Sequence, residues 1–212
     1  MSTVRLGSGA PWEAVVGYSR VVAVGDSAWV SGTTATVDGE VVHPGDAGAQ
    51  TRVALETVAR IVERGADVRY TMVGSGPLLD SARRRARELG IADRVEFTGA
   101  VEPSRVFEEM SRAHVFFLPS SQENFFTAVA ESLAAGRPAV VPLSGGFDDY
   151  CTDENSVLVD SWDPEALADA VLRGWDRFRD ADPARIAETV RERFSRGAVG
   201  TRFGRIYQQI AG

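Results

Sequence analysis

The sequence predicts an α/β fold with a mostly parallel sheet and helices on its faces. From residue 68 onward, short apolar segments alternate with helical patterns. The segments are VRYTMVG (68–74), RVEFTG (94–99), HVFFLP (114–119), PAVVPL (138–143) and SVLVD (156–160). Such alternation is typical of parallel strands joined by crossover helices. We expect these helices near residues 78–89, 104–113, 127–135 and 164–178, followed by two more between residues 183 and 211.

Residues that start or stop helices stand at several of these boundaries. Gly90 and Gly136 each follow a helical pattern and are natural C-terminal stops. Asp163 precedes Pro164, which is the order expected of an N-cap followed by a proline in the first turn.

The first 65 residues have a different pattern. The segment SRVVAVGDSAWVSG (19–32) contains two β-rich runs around Gly25-Asp26-Ser27, which predicts a β-hairpin. Asp46 can cap a helix over residues 47–64 that Gly65 ends. Its apolar positions, Val53, Leu55, Val58, Ile61 and Val62, form a stripe that we expect to be mostly buried.

Composition limits the classes of function. With 212 residues, of which 44% are hydrophobic, the chain can form one α/β domain with an appendage or two small domains. Cys151 is the only cysteine, which excludes an intrachain disulfide or a structural zinc knot and suits the reducing cytoplasm. The sequence contains no lysine, so an anion site must use arginine or backbone amides.

Charge and hydropathy argue against nucleic acid and membrane as partners. The net charge of −7 disfavours a general nucleic-acid surface. No apolar stretch approaches the roughly 20 residues of a membrane span, and the first residues lack the pattern of a signal peptide. We therefore expect a soluble, cytoplasmic protein. The sequence predicts no oligomeric state.

Residues 68–212 carry a resemblance to a known family. The segments VGSGPLLDSARRRARELGIADRVEFTGAV, HVFFLPSSQENFFTAVAESLAAGRPAVV, SGGFDDYC and NSVLVDSWDPEALADAV occur in that order. In sequence and spacing they resemble the C-terminal, donor-binding lobe of family-four retaining glycosyltransferases, which have two facing Rossmann lobes. The resemblance covers about two thirds of the chain. It implies a Rossmann-like, doubly wound sheet of about six strands, for which we expect the order 3-2-1-4-5-6.

The same resemblance implies a donor site. The family's signature is a glutamate, seven residues and a second glutamate, which Glu123 and Glu131 satisfy. It implies that Glu123 faces the donor sugar and that Glu131 accepts hydrogen bonds from the ribose hydroxyls. The amides near Thr127 and Ala128, at the start of a helix, would then bind the diphosphate. The implied ligand is a nucleoside diphosphate or a nucleotide sugar, with no required cofactor and no metal.

Other candidates lie close to these residues in sequence. Asn124 and Phe125 belong to the same loop, and of Phe125 and Phe126 we expect one to pack inward and one to line the crevice. Gly74 and Gly76 either form a phosphate-binding loop or make a tight strand-to-helix turn. The predicted helix around Glu131 is otherwise so apolar that we expect it to be buried.

Residues 9–62 resemble a second family, the Rid or YjgF-type reactive intermediate deaminases. The similarity covers that family's opening hairpin and first helix, and Tyr18 falls on its substrate-site tyrosine. The second half of that fold, with the arginine that binds the substrate carboxylate, has no counterpart here. The two resemblances predict one fused chimeric domain of residues 1–66 and 67–212, with the boundary between Thr57 and Val68.

In such a chimera the borrowed segment can complete the sheet. The strand Ala28–Ser31 and the helix at 47–64 would take the place of the lobe's first strand and first helix. The turn Gly32, Thr33 and Thr34 would then face the loop 120–127 as a candidate phosphate loop. The family's first loop supplies an arginine and a lysine to the diphosphate, whereas here the acidic residues Asp38, Glu40 and Asp46 follow that turn.

Three functions follow from these observations. The first is a nucleotide-sugar-binding Rossmann domain that is catalytically incomplete, because the acceptor lobe has no counterpart in the sequence. The second is an engineered or recombined chimera without activity. The third is a Rid-like enamine or imine deaminase that uses Tyr18. Whether the chain is an enzyme stays open at this point; if it is one, the resemblance implies a glycosyltransferase.

Overall fold

A computed structural model describes residues 3–6, 21–24, 27–30, 36–37, 40–41, 47–120, 123, 125–143, 147 and 150–211. The chain forms two units, residues 1–44 and 45–212. In the first unit, the strands β1 (Thr3–Leu6), β2 (Val21–Val24) and β3 (Ser27–Val30) form an antiparallel sheet in that order. Two short strands, β4 (Thr36–Val37) and β5 (Glu40–Val41), pair antiparallel.

Several predictions for the N-terminal segment concern residues outside the described ones. Strands β2 and β3 lie in the two β-rich runs, and Val24 pairs with Ser27. The predicted turn residues Gly25 and Asp26 lie outside the described residues, as do Tyr18 and the candidate phosphate loop 32–34.

The second unit contains the alternating elements that the sequence predicts. In chain order they are α1 (Ala47–Glu63), β6 (Tyr70–Val73), α2 (Leu79–Glu88), β7 (Val95–Gly99), α3 (Pro103–Arg112), β8 (Phe116–Phe117), α4 (Thr127–Ala134), β9 (Ala139–Pro142), β10 (Ser156–Val159), α5 (Pro164–Phe178), α6 (Pro183–Phe194) and α7 (Arg196–Ala211). The predicted N-cap is confirmed, since the side chain of Asp163 accepts hydrogen bonds from the amides of Glu165 and Ala166. Gly90 and Gly136 adopt the positive φ angles, 70° and 77°, expected of helix stops.

The parallel strands of this unit lie in two sheets. Strand β6 pairs with β7, while β8 and β10 both pair with β9. In the order 3-2-1-4-5-6, β7 corresponds to strand 3 and β6 to strand 2. Strands β8, β9 and β10 correspond to strands 4, 5 and 6. Within the described residues no strand hydrogen-bonds to both β6 and β8, so five of the expected six parallel strands are seen and the break falls at the first strand.

A tyrosine side chain links the two sheets. The hydroxyl of Tyr70, on β6, donates to the main-chain oxygen of Phe117, on β8, at 3.4 Å. The two rings lie 6.4 Å apart between centroids. The side chain of Tyr70 thus contacts a carbonyl oxygen of β8 at the edge where the strand order 3-2-1-4-5-6 predicts a further strand.

Helix α1 packs against α2 and α5. The expected stripe is confirmed, with Leu55, Val58 and Ile61 buried. At its end, the guanidinium of Arg64 forms ion pairs with both Glu165 and Asp169 of α5. These contacts fix α1 on the α5 side of the second unit.

A hydrophobic core lies between α4, β9 and α6. It contains ten buried residues, Phe126, Val129, Leu133, Ala139, Val141, Phe147, Tyr150, Cys151, Ile186 and Val190. A Cβ at Gly136, after α4, would lie 2.6 Å from the carbonyl oxygen of Pro183, so the end of α4 and the start of α6 are in close contact. No helix among the described residues is long and apolar enough to cross a bilayer.

Candidate functional site

The candidate residues after β8 and before α4 form one local site. Ser120 is buried, and its hydroxyl donates to Oε1 of Glu123 at 2.6 Å. A hydrogen bond of this length to a carboxylate is of the strong, charge-assisted kind. It fixes the carboxylate of Glu123, which is partly exposed, beyond the carboxyl end of β8.

The two phenylalanines of the loop face in different directions. Phe126 is 3% exposed and packs against Phe147, with ring centroids 6.3 Å apart. Phe125 is 43% exposed, and its ring lies 5.2 Å from the rings of both Tyr150 and Phe194. The expectation that one of the pair packs inward is therefore confirmed, and Phe126 is that residue.

Helix α4 is buried on one side only, so the expectation of a wholly buried helix is wrong. Val129, Ser132 and Leu133 are buried, whereas Thr127 and Glu131 are exposed. These two residues are four apart and share one face of the helix. Since α4 packs on β9 and α6 with its opposite side, Glu131 has access to solvent and to a ligand.

The first turn of α4 has free amide groups. Phe126, at the N-cap position, provides no side-chain cap. Among the described residues, the amides of Thr127 and Ala128 donate to no acceptor, whereas those of Val129 and Ala130 donate to the carbonyl oxygen of Phe126. Unpaired amides at a helix N-terminus form a potential anion site.

The geometry at Gly74 and Gly76 favours the turn over the phosphate loop. Gly74 has a φ of 133°, and its amide donates to the carbonyl oxygen of Gly99 at 2.9 Å. The carbonyl oxygen of Gly76 accepts from the amide of Leu79 at 3.1 Å, at the start of α2. The first bond is a bridge between the ends of β6 and β7 and occupies the amide of Gly74, and the second is a turn bond at the start of α2.

Two features of this region were not found by sequence reasoning. Tyr150 places its hydroxyl against the main-chain oxygens of Phe125 and Phe126. A depression of about 450 Å³ lies beyond the carboxyl end of β7 and is lined by Ala100, Val101, Glu102 and Arg105. No local motif marks the contact of Tyr150, because it joins residues that are 24 positions apart.

Burial raises the pKa of the Tyr150 hydroxyl above its ordinary value. The neighbouring Cys151 and Glu123 act in the same direction. The hydroxyl therefore keeps its proton and acts as a hydrogen-bond donor.

Asn124 lies outside the described residues. Cys151 is buried. In the part of the chain that the structure describes, no three His, Cys, Asp or Glu side chains are grouped so that they could hold a metal ion.

Comparison with protein families gives a match over most of the second unit. The family model described as "Glycosyl transferases group 1" matches residues 38–176. The match includes α1, which the second resemblance assigned to a deaminase-like segment. Nothing in the comparisons supports that deaminase-like part.

Individual relatives agree with this family. The lipopolysaccharide core biosynthesis glycosyltransferase LpsE of Rhizobium meliloti is 31% identical over 151 residues, covering 70% of this chain and 44% of the relative. Sucrose-phosphate synthase from Thermosynechococcus elongatus superposes with a TM-score of 0.61 at 27% identity, covering 76% of this chain and 43% of the other.

A third similarity concerns the fold alone. The pneumococcal O-GlcNAc transferase GtfA, solved in complex with UDP and GlcNAc, has a TM-score of 0.64 at 16% identity, over 76% of this chain and 33% of that protein. The chain thus spans less than half the length of each of these three proteins. The family match and the shared fold show that the chain belongs to the group 1 glycosyl transferases and contains their Rossmann-like C-terminal lobe.

Proposed function

We propose that residues 45–212 bind a nucleoside diphosphate sugar at the start of α4. The observation that carries this proposal is the exposed face of α4, where the carboxylate of Glu131 lies one turn after the free amides of Thr127 and Ala128. A ribose and a diphosphate require these two kinds of group, an acceptor for hydroxyls and donors for phosphate oxygens.

Each group has a defined role in the proposed complex. Glu131 accepts hydrogen bonds from the two ribose hydroxyls, and the α4 amides bind the diphosphate. Glu123, held by Ser120, faces the sugar.

We further propose that the 212 residues bind the donor without transferring the sugar. The sequence after β3 continues with Ser31, Gly32, Thr33 and Thr34, and the acidic Asp38 and Glu40 follow, so this segment offers no lysine or arginine to a diphosphate.

That the strand Ala28–Ser31 takes the place of the lobe's first strand stays a prediction from the sequence; among the described residues, β3 pairs with β2. Deleting residues 1–44 tests this assignment. If the strand completes the sheet, the deletion lowers the thermal midpoint of residues 45–212 and the full chain unfolds in one transition. An unchanged midpoint for the shortened chain would contradict it.

Calorimetric titration with UDP and GDP tests donor binding. Replacing Glu131 by Ala removes the acceptor for two hydroxyls, so we expect at least about a tenfold loss of affinity. Glu192→Ala, an exposed glutamate on α6, is the matched control and should leave affinity unchanged. Absence of heat with both nucleotides in the parent protein would reject the proposal and leave a folded chain without this activity.

A further inference from the structure

Helix α4 begins at a residue that cannot stabilise the helix start by itself. Phe126 has a φ of 52°, in the left-handed region, which costs free energy for a residue with a Cβ. Its side chain has no acceptor for the free amides, unlike the Ser, Thr, Asp or Asn usually found at an N-cap. Other residues must therefore hold the peptide in this conformation.

Tyr150 holds the peptide at Phe126 by a hydrogen bond. Its hydroxyl shares its one proton between two carbonyl oxygens, that of Phe125 and that of Phe126, the latter at 2.9 Å. The Phe126 oxygen also accepts the amides of Val129 and Ala130, at 3.0 and 3.3 Å. The hydroxyl thus bonds the same oxygen that closes the first turn of α4.

The ring of Tyr150 is itself held in place. Tyr150 is 2% exposed, and its ring lies 5.6 Å from that of Phe194 at nearly a right angle. Its main-chain oxygen accepts a hydrogen bond from Nδ2 of Asn155 at 2.9 Å.

Asn155 connects Tyr150 to α6. Its side chain is fully buried, and Oδ1 accepts from the amide of Thr152 at 2.9 Å. The second Nδ2 proton goes to Oγ1 of Thr189 at 2.8 Å. Every donor of the amide is used, so the contacts run without a break from α6 through Asn155 and Tyr150 to the start of α4.

We propose that Tyr150 is a positioning residue of the donor site: its hydroxyl holds the first turn of α4 so that the amides of Thr127 and Ala128 remain directed at the diphosphate. This inference rests on the proposed function. Tyr150 acts through the peptide at Phe126 and needs no contact with the ligand.

Amide hydrogen exchange in the unliganded protein tests the positioning itself. Tyr150→Phe removes the hydroxyl and keeps the ring. We expect exchange at Val129 and Ala130 to become about tenfold faster, as for the loss of one hydrogen bond. Tyr70→Phe is the matched control, since Tyr70 also donates to a main-chain oxygen, that of Phe117 on β8, and it should change these two rates less than about twofold. Equal rates in the parent and Tyr150→Phe would overturn the proposal.

Titration with UDP and with uridine tests the link to the diphosphate. In Tyr150→Phe we expect about a tenfold loss of affinity for UDP and an unchanged affinity for uridine, which lacks the group that meets the amides. An equal loss for both ligands, or none for UDP, would overturn the role in the donor site. If the parent binds no UDP, the proposed function fails, while the exchange rates still decide whether Tyr150 holds α4.

A milder variant covers the case in which Tyr150→Phe does not fold. Thr189→Val removes the hydrogen bond between Thr189 of α6 and the side chain of Asn155, which in turn contacts Tyr150. It should accelerate exchange at Val129 and Ala130 by a smaller factor. No acceleration in a folded Thr189→Val protein would then contradict the proposal.

Discussion

The hydroxyl of Ser120 and the carboxylate of Glu123 are joined by a 2.6 Å hydrogen bond at the end of β8. Because Ser120 is buried and its acceptor is charged, removing the hydroxyl should be costly. We expect Ser120→Ala to lower the free energy of unfolding by about 1–2 kcal/mol in urea titrations.

A double-mutant cycle separates this bond from the other contacts of Ser120. In a Glu123→Ala background, the effect of Ser120→Ala should shrink by about 1 kcal/mol. Additive effects of the two substitutions would show that the pair does not interact. Ser104→Ala, at an exposed position of α3, serves as the control for the substitution itself.

Gly174 allows close contact between α5 and β9. A Cβ at this position would lie 2.7 Å from Cγ2 of Val140. We expect Gly174→Ala to destabilise the protein by about 1–3 kcal/mol through overpacking. A Cβ added at Gly200, in α7, would have nothing within 4 Å, so Gly200→Ala should be neutral or stabilising by up to about 1 kcal/mol. Equal thermal midpoints for the two variants would contradict this packing.

Tyr70 makes the stability of the second unit sensitive to alkaline pH. Burial raises its pKa from 10.0 to about 12. Because the folded state binds this proton more tightly than the unfolded state, the contribution is complete below pH 10 and is lost as the pH rises towards 12, by at most about 3 kcal/mol. Urea unfolding at pH 9 and 11 should show a smaller decline in Tyr70→Phe than in the parent.

Tyr207→Phe provides the comparison for this pH experiment. Tyr207 is 59% exposed on α7, so its replacement should leave the alkaline decline as in the parent. The assignment to Tyr70 would be wrong if Tyr70→Phe and the parent lost stability equally over the same range.

The elements from residue 68 onward could be predicted because several local signals agree there. Short apolar runs alternate with helical patterns, and Gly90, Gly136 and Asp163 mark helix ends by their backbone or hydrogen-bonding preferences. The exposure of Glu131 could not be predicted in this way. Most of α4 consists of alanine and other small residues, and alanine is compatible with both a buried and an exposed face.

Relationships between distant residues were also missed. Tyr150 bonds the peptide at Phe126 across 24 positions, and no periodic pattern in the loop around Tyr150 indicates it. Strand order is similarly absent from the hydrophobic pattern, which gives the length and burial of a strand and not its neighbours. The break between β6 and β8 therefore became visible only from the hydrogen bonds.

The most direct test of the account is whether Glu131 recognises the ribose of a bound nucleotide. The affinities of the parent and of Glu131→Ala for UDP and for its 2′,3′-dideoxy analogue should be measured by calorimetry. We predict that the parent prefers UDP by about tenfold or more and that Glu131→Ala binds the two ligands equally. An equal preference for UDP in both proteins would contradict the assignment, and so would a parent protein that binds neither.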